Sequence, residues 1–319
     1  MNNEDSIVQK RVFLARMRFL TDSEGFLGSL FLFPAIAYIV LLVGIPFVLA
    51  IAFSLSDITV GNTDLKFAGL ENFRRVIQTP EFLQSLKNTF LFTLVSQGIT
   101  IVLANILAII LSTDFRGKWI ARLLIMLPWA TPVALGTVGW LWLLDSKFSP
   151  IDWVLRHLNL LGSPDAILGL QNNLFYLGNL NLAQASIILV YVWRMLPLSA
   201  VILMAGLTSI SQDLLDQADV DGASFWRVLF QIKLPLILPI MTVAVLFSLL
   251  FTFGDMAVVY VLTRGGPVYY TQILPTWAYI KGIESGALGE GAAIALFLFP
   301  VLMAAIIIFL RGARRMEVS

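Results

Sequence analysis

Two charged side chains stand inside long apolar runs, Arg194 within LVYVWRMLPLS and Asp255 within SLLFTFGDMAVVY. Hydrocarbon accepts such groups only when they are paired or face a polar cavity, so each marks a contact with something other than lipid. Arg194 lies roughly 20 Å from one end of its run at 1.5 Å per residue. Asp255 lies roughly 28 Å from the start of a run of opposite direction. That difference is within the joint reach of the two side chains, which predicts an ion pair in the protein interior. Such a pair suits a substrate or proton relay site, and it equally suits a device that only fixes helix packing.

Ser248, Thr252 and Asp255 recur at i, i+4 and i+7, one polar stripe with Phe251 beside it. Hydroxyls so placed join helices to one another; beside an aromatic ring they also suit a sugar, whose hydroxyls need hydrogen bonds and whose ring faces need stacking. In the Arg194 run, Tyr191 and Trp193 precede Pro197, where a break in the helical ladder is expected. Helices broken at mid-depth line transport paths. Signatures of enzymes are missing: there is no H-E-x-x-H, no G-x-S-x-G and no G-x-x-x-x-G-K-[ST]. We therefore expect no catalytic residue, no metal site and no cofactor on this chain, and any ATP must act through a partner. The single His157 falls in a polar loop, where solvation is the expected state. With no cysteine, disulfide and thiolate chemistry are excluded, and a net charge of +1 argues against a nucleic-acid partner.

The elements that must hold these residues are membrane spans. Hydrophobic residues make up 58% of the 319 and charged residues 13%, with mean hydropathy +0.86, whereas soluble domains run at about a quarter charged. Six apolar runs exceed or approach the ~20 residues that cross a bilayer: Gly25–Leu55, Thr89–Ser112, Leu123–Leu144, Leu182–Leu207, Leu236–Leu262 and Gly291–Leu310. The first is too long for a signal-peptide core and is expected to be an uncleaved anchor. The expected division is a polar segment 1–24, a six-span domain 25–310 and a tail 311–319, with membrane lipid around the spans. Lys10, Arg11, Arg16, Arg18, Arg116, Lys118, Arg122, Arg227, Lys233, Arg311, Arg314 and Arg315 all fall on one side of such a topology. The excess of basic residues in these shorter segments places both termini and the 209–235 loop in the cytoplasm. The opposite loop 145–181 is too small for a core of its own and is expected to fold back on the membrane surface.

That 209–235 loop is patterned. Ser209 followed by Gln212 suggests a capping box, and Leu214, Leu215 and Ala218 recur at helical spacing among Asp213, Asp216 and Asp219. Gly222 suits a sharp turn. A second amphipathic piece, Ala223–Ile232, carries Phe225, Trp226 and Phe230 and is expected to stop at Pro235. The residues alone allow either a docking element or a helix pair lying on lipid headgroups.

Ala218, Asp221-Gly222-Ala223-Ser224-Phe225 and Ile232-Lys233-Leu234-Pro235 together resemble the EAA loop of bacterial ABC importer permeases, with Asp216-Gln217 where that family usually has Glu-Ala. Trp193 through Pro197, Asp255 with Leu262-Thr263-Arg264-Gly265-Gly266-Pro267, and Phe67-Ala68-Gly69-Leu70-Glu71-Asn72-Phe73 with Asn88-Thr89 resemble further stretches of the carbohydrate type. The resemblance spans about residues 25–315 and is strongest to the sugar-contacting permease of the maltose transporter family. It implies an all-α membrane protein of six transmembrane helices with type I ABC importer permease architecture, in a bacterial or archaeal inner membrane. It further implies a second homologous permease, an ATP-binding cassette ATPase dimer using ATP and Mg, and an extracytoplasmic binding protein that delivers a sugar. Carried over by position, Tyr191, Trp193, Met195, Leu198, Ser248, Phe251, Thr252 and Asp255 would face the sugar. Asp216, Ala218, Asp221, Gly222, Ala223, Phe225, Trp226 and Pro235 would couple to the ATPase. Met195, Leu198 and the charge of Asp255 make maltose a doubtful substrate. The rival reading is an ion- or proton-coupled secondary transporter working through Arg194 and Asp255, which leaves the 209–235 loop unexplained.

Overall fold

The computed structural model describes residues 24–62 and 64–317, so nearly all of the basic segment 1–24 lies outside the described residues. Among the described residues the regular structure is helical, and the β pairing is limited to the isolated bridges Ser56–Phe67 and Thr59–Asn62. Five helices are long and apolar enough to cross a membrane, and a bent pair brings the number to six.

The first span, α1, runs from Glu24 to Ser54 through a π-helical turn at Val40–Gly44. It forms a unit of its own, to Phe53, and everything below concerns the second unit from Ser54 onward. There α2 (Glu71–Gln78) leads into α3 (Pro80–Ser112), which opens with proline in its first turn, where a missing N–H costs nothing. The third span is two helices, α4 (Lys118–Ala130) and α5 (Val133–Leu143), bent by 98°. Pro132 supplies the cause: it pushes Thr131 into extended backbone, φ −74° and ψ 132°, and ends α4. A single third span over Leu123–Leu144 was expected.

Beyond α6 (Pro150–His157), α7 (Leu180–Thr208) is capped by Asn179, whose side-chain oxygen accepts from the N–H groups of Asn181 and Leu182 at 3.1 and 3.2 Å. Contrary to expectation, α7 runs unbroken through Pro197, which is buried. After α8 (Gln212–Val220) comes one continuous span, Phe225–Phe253, here α9, with a π-helical turn at Leu229–Lys233. Pro235 therefore does not stop a helix; it sits in the first turn of the α-helical stretch that follows the π turn. Nor does Ser209 open α8. Its hydroxyl bonds the Gly206 carbonyl at 2.8 Å, closing α7, and Ser211 occupies the N-cap without a side-chain bond. The chain ends with α10 (Ala257–Leu262), α11 (Leu274–Tyr279), α12 (Leu288–Leu296) and α13 (Leu298–Glu317), so the expected tail 311–319 is helical to Glu317.

α3 and α7 pack along their lengths. Toward α8 their seam is made of Ala104, Ala108, Ala200 and Leu203 with Ile237 and Ala244 of α9, small residues that let backbones approach closely. At the other end Phe92, Ile187, Val190 and Tyr191 join Val258, Val259 and Leu262. Leu161, Leu174 and Tyr176 of the 145–181 loop complete that cluster. The loop thus packs its apolar residues into a cluster that it shares with α3, α7 and α10. Its polar pin is Asp152, fully buried, which accepts from the Tyr176 hydroxyl at 2.7 Å and the Leu174 N–H at 3.1 Å. His157 is exposed and its ring lies against Trp153.

Candidate functional site

Arg194 projects from α7 toward the gap between α9 and α10. The fifth span was expected to be continuous to Leu262, with Asp255 on its polar stripe. Instead α9 ends at Phe253, and Gly254, Asp255 and Met256 form a break before α10. Glycine is a poor helix former and aspartate prefers helix starts, so the sequence favours an interruption here. One Asp255 oxygen pairs with Arg194 Nη1. The other accepts the Val258 N–H at 3.0 Å, capping α10. Its main-chain carbonyl accepts the Tyr191 hydroxyl at 3.2 Å. The Arg194 and Asp255 side chains are 14% and 7% exposed, so the pair is largely desolvated, and its two charges cancel. One guanidinium N–H group is committed to Asp255; the guanidinium carries five donors in all.

The residues expected to face a substrate divide into two sets. Tyr191, Met195, Ser248 and Thr252 are buried in helix packing. Trp193 and Leu198 are half-buried, and Phe251 is 44% exposed. The open side of this region is therefore aromatic, with the ion pair beside it.

Sequence reasoning missed the elements against which those rings rest. Trp129 meets Phe251 edge to face, centroids 5.4 Å apart, and Trp140 meets Trp193 at 5.7 Å. The signal available was Pro128 and Pro132, four residues apart in one apolar run. The sequence also left Asn72 and Asn88 without a role. Asn72 donates to the Ser54 and Ser56 carbonyls at 2.9 and 2.8 Å. Asn88 donates to those of Tyr270 and Gln272 at 2.9 and 2.8 Å. Each ties a connecting segment to a helix.

A second candidate surface lies at the α8–α9 corner. Gly222 has φ +70°, and the N–H of Ala223 reaches the Ala218 carbonyl at 2.9 Å, the closing bond of a glycine-terminated helix. Ala218 is buried and Ala223 half-buried, while Asp216, Asp221, Gly222 and Pro235 are exposed. Phe225, Trp226 and Phe230 are 59%, 64% and 60% exposed. Their rings contact one another, Trp226 stacked on Phe230 at 5.9 Å and Phe225 edge-on to Trp226 at 5.3 Å. Phe225 and Phe251 lie on the same helix, α9, about 39 Å apart at 1.5 Å per residue. One rod thus joins the exposed aromatic corner to the ion-pair region.

Residues 100–316 match the family described as "Binding-protein-dependent transport system inner membrane component". A probable ABC transporter permease protein of Brucella suis is 32% identical over 248 residues, 78% of this chain and 83% of the relative. The trehalose/maltose transport system permease protein of Thermococcus litoralis is 28% identical over 291 residues, 91% of this chain and 95% of the relative. Among solved structures, a bacterial ABC transporter involved in the import of the acidic polysaccharide alginate has a chain that superposes with TM-score 0.77 at 17% identity. That alignment covers 96% of this chain and 99% of the other.

Proposed function

Because the chain belongs to the family of binding-protein-dependent transport system inner membrane components, we propose that it is a multi-pass inner-membrane permease of an ATP-driven importer for a sugar or oligosaccharide. The observation that carries the coupling half of this reading is the α8–α9 corner: a glycine turn beside a run of three exposed aromatic rings in contact, Phe225 edge-on to Trp226 and Trp226 stacked on Phe230. Headgroup binding suits it poorly. α8 carries Asp213, Asp216 and Asp219, with Asp221 at its end, against Arg227 and Lys233 on the start of α9, so the corner is net acidic, whereas cytoplasmic leaflets are anionic and attract basic helices. Aromatic anchors set in a polar surround suit a groove on a protein. That protein is an ATPase dimer, which binds ATP and Mg; this chain contributes no nucleotide site, no cofactor and no catalysis. The corner and both termini lie in the cytoplasm, as the basic residues direct.

Closure of the ATPases moves the corner, and α9 transmits that motion to Phe251 and the break at Asp255. A sugar delivered by an extracytoplasmic binding protein stacks on Trp193 and Phe251, its hydroxyls accepting from the Arg194 donors that Asp255 leaves free. A second homologous permease supplies the facing half of the cavity.

Purification from native membranes in mild detergent tests this directly. An ATPase and a second permease recovered in stoichiometric amounts are expected. The chain recovered alone, yet transporting in proteoliposomes, overturns the reading in favour of a secondary transporter. In the assembled complex, a panel of trehalose, maltose and alginate oligosaccharide identifies the substrate class. Gly222→Asp is expected to leave ATP hydrolysis running while sugar uptake falls to background; wild-type coupling in that variant refutes the role of the corner.

A further inference from the structure

The rings of Trp193 and Phe251 rest on the two arms of the bent third span. We propose that this elbow forms a third wall of the saccharide site and that Gly136 is a positioning residue that sets substrate specificity through Trp193. The inference rests on Trp193 and Phe251 being the stacking platforms. Trp129 on α4 holds Phe251, with interplanar angle 79°, and Trp140 on α5 holds Trp193, with interplanar angle 77°. Each arm therefore steadies one ring, and across the 98° bend α4 packs chiefly along α7 and α5 along α10. An edge-to-face neighbour fixes a ring's tilt while leaving a face open. A sugar ring stacks only on a face held parallel to it, so the tilt is what the site must control.

Gly136 controls it on the Trp193 side. A Cβ built at Gly136 lies 3.2 Å from Cη2 and 3.4 Å from Cζ3 of Trp193, and 3.4 Å from the Thr131 methyl. Trp193 thus packs close to bare backbone, and a methyl at 136 requires the far edge of the indole to give by a few tenths of an ångström. The Thr131 methyl, within the bend, is the other neighbour of the same spot. Gly136 and Trp140, one helical turn apart on α5, both border the Trp193 ring, and Thr131 lies beside Gly136. Gly139 on the same arm has nothing within 4 Å of an added Cβ, which makes it a control for helix propensity and lipid contact.

The test uses the complete complex with its binding protein in proteoliposomes, assaying uptake of the two best-transported saccharides of the trehalose, maltose and alginate oligosaccharide panel. Gly136→Ala is expected to raise the KM by about fivefold, the equivalent of part of one stacking contact. The maximal rate should change far less, and the preference between the two saccharides should shift. Gly139→Ala is expected to match wild type. Trp140→Phe retains an edge-on ring and should keep the wild-type KM, whereas Trp140→Ala should behave like Gly136→Ala. If Trp193→Ala and Phe251→Ala raise the KM but Gly136→Ala and Trp140→Ala match Gly139→Ala, the elbow has no such role and the inference falls alone. If Trp193→Ala and Phe251→Ala themselves leave the KM unchanged, the stacking site is misplaced and the parent reading falls with it. Should Gly136→Ala fail to assemble, the two Trp140 variants decide the matter by the same criterion.

Discussion

Removing the Asp255 charge separates substrate handling from packing at the intramembrane pair. Asp255 makes three distinguishable bonds: the ion pair to Arg194, the cap on Val258 N–H, and a main-chain bond from Tyr191. The last survives any side-chain substitution. Asp255→Asn keeps an oxygen for the cap but leaves the guanidinium unpaired, and breaking a buried pair from one side costs about 3–5 kcal/mol. Since Arg194 is 14% exposed, some water reaches it, and the lower end, about 3 kcal/mol, is expected. Asp255→Ala loses the cap as well, adding about 1 kcal/mol. Arg194→Met with Asp255→Asn removes both charges, so the double variant should be more stable than the sum of the singles by about 2 kcal/mol. Equilibrium unfolding of the purified complex by SDS in mixed micelles measures each step, with uptake followed in parallel. Stability recovered in the double variant while uptake stays lost assigns the pair to substrate handling. Recovery of both assigns it to packing. An Asp255→Asn variant as stable as wild type, or a double variant that loses the full sum, refutes the energetic reasoning.

Gly291 sits where α12 crosses the segment after α11; a Cβ there lies 2.3 Å from Gly282 Cα and 2.9 Å from the Ala278 carbonyl. Gly291→Ala must separate two backbones and should lower complex stability by about 1–3 kcal/mol, while Gly139→Ala stays close to wild type in the same melt; equal melts refute the crossing. In the 145–181 loop, burial, then the hydrogen bond and charge of Asp152, push the Tyr176 phenol well above its usual pKa. Its contribution to stability is therefore complete below about pH 10, the unfolded phenol's value, and is lost as pH rises beyond it. In an absorbance titration, Tyr176→Phe should remove no phenolate signal near pH 10; a full tyrosine lost there shows that the pin is absent.

Local chemistry alone determined the spans, the absence of enzyme signatures and the glycine turn at 222. A run of apolar residues carries its transfer free energy residue by residue, and a tight corner demands positive φ wherever it falls. The ion pair was also legible, because two lone charges in hydrocarbon have few partners to choose from. Where the helices break was not. Pro197 and Pro132 look alike in the sequence, yet α7 continues through the first and the third span bends by 98° at the second. A proline removes one backbone bond either way. Whether the helix goes on depends on the neighbours packed around it, and Pro197 is buried within α7. The same holds for the stripe Ser248, Thr252, Asp255: the period predicted one face, but the break at Gly254 turns Asp255 away toward Arg194 while the two hydroxyl residues stay in the packing. The elbow tryptophans were the least readable. Trp129 and Phe251 meet across 122 residues of sequence, and a contact of that kind exists only once three spans have been folded against one another.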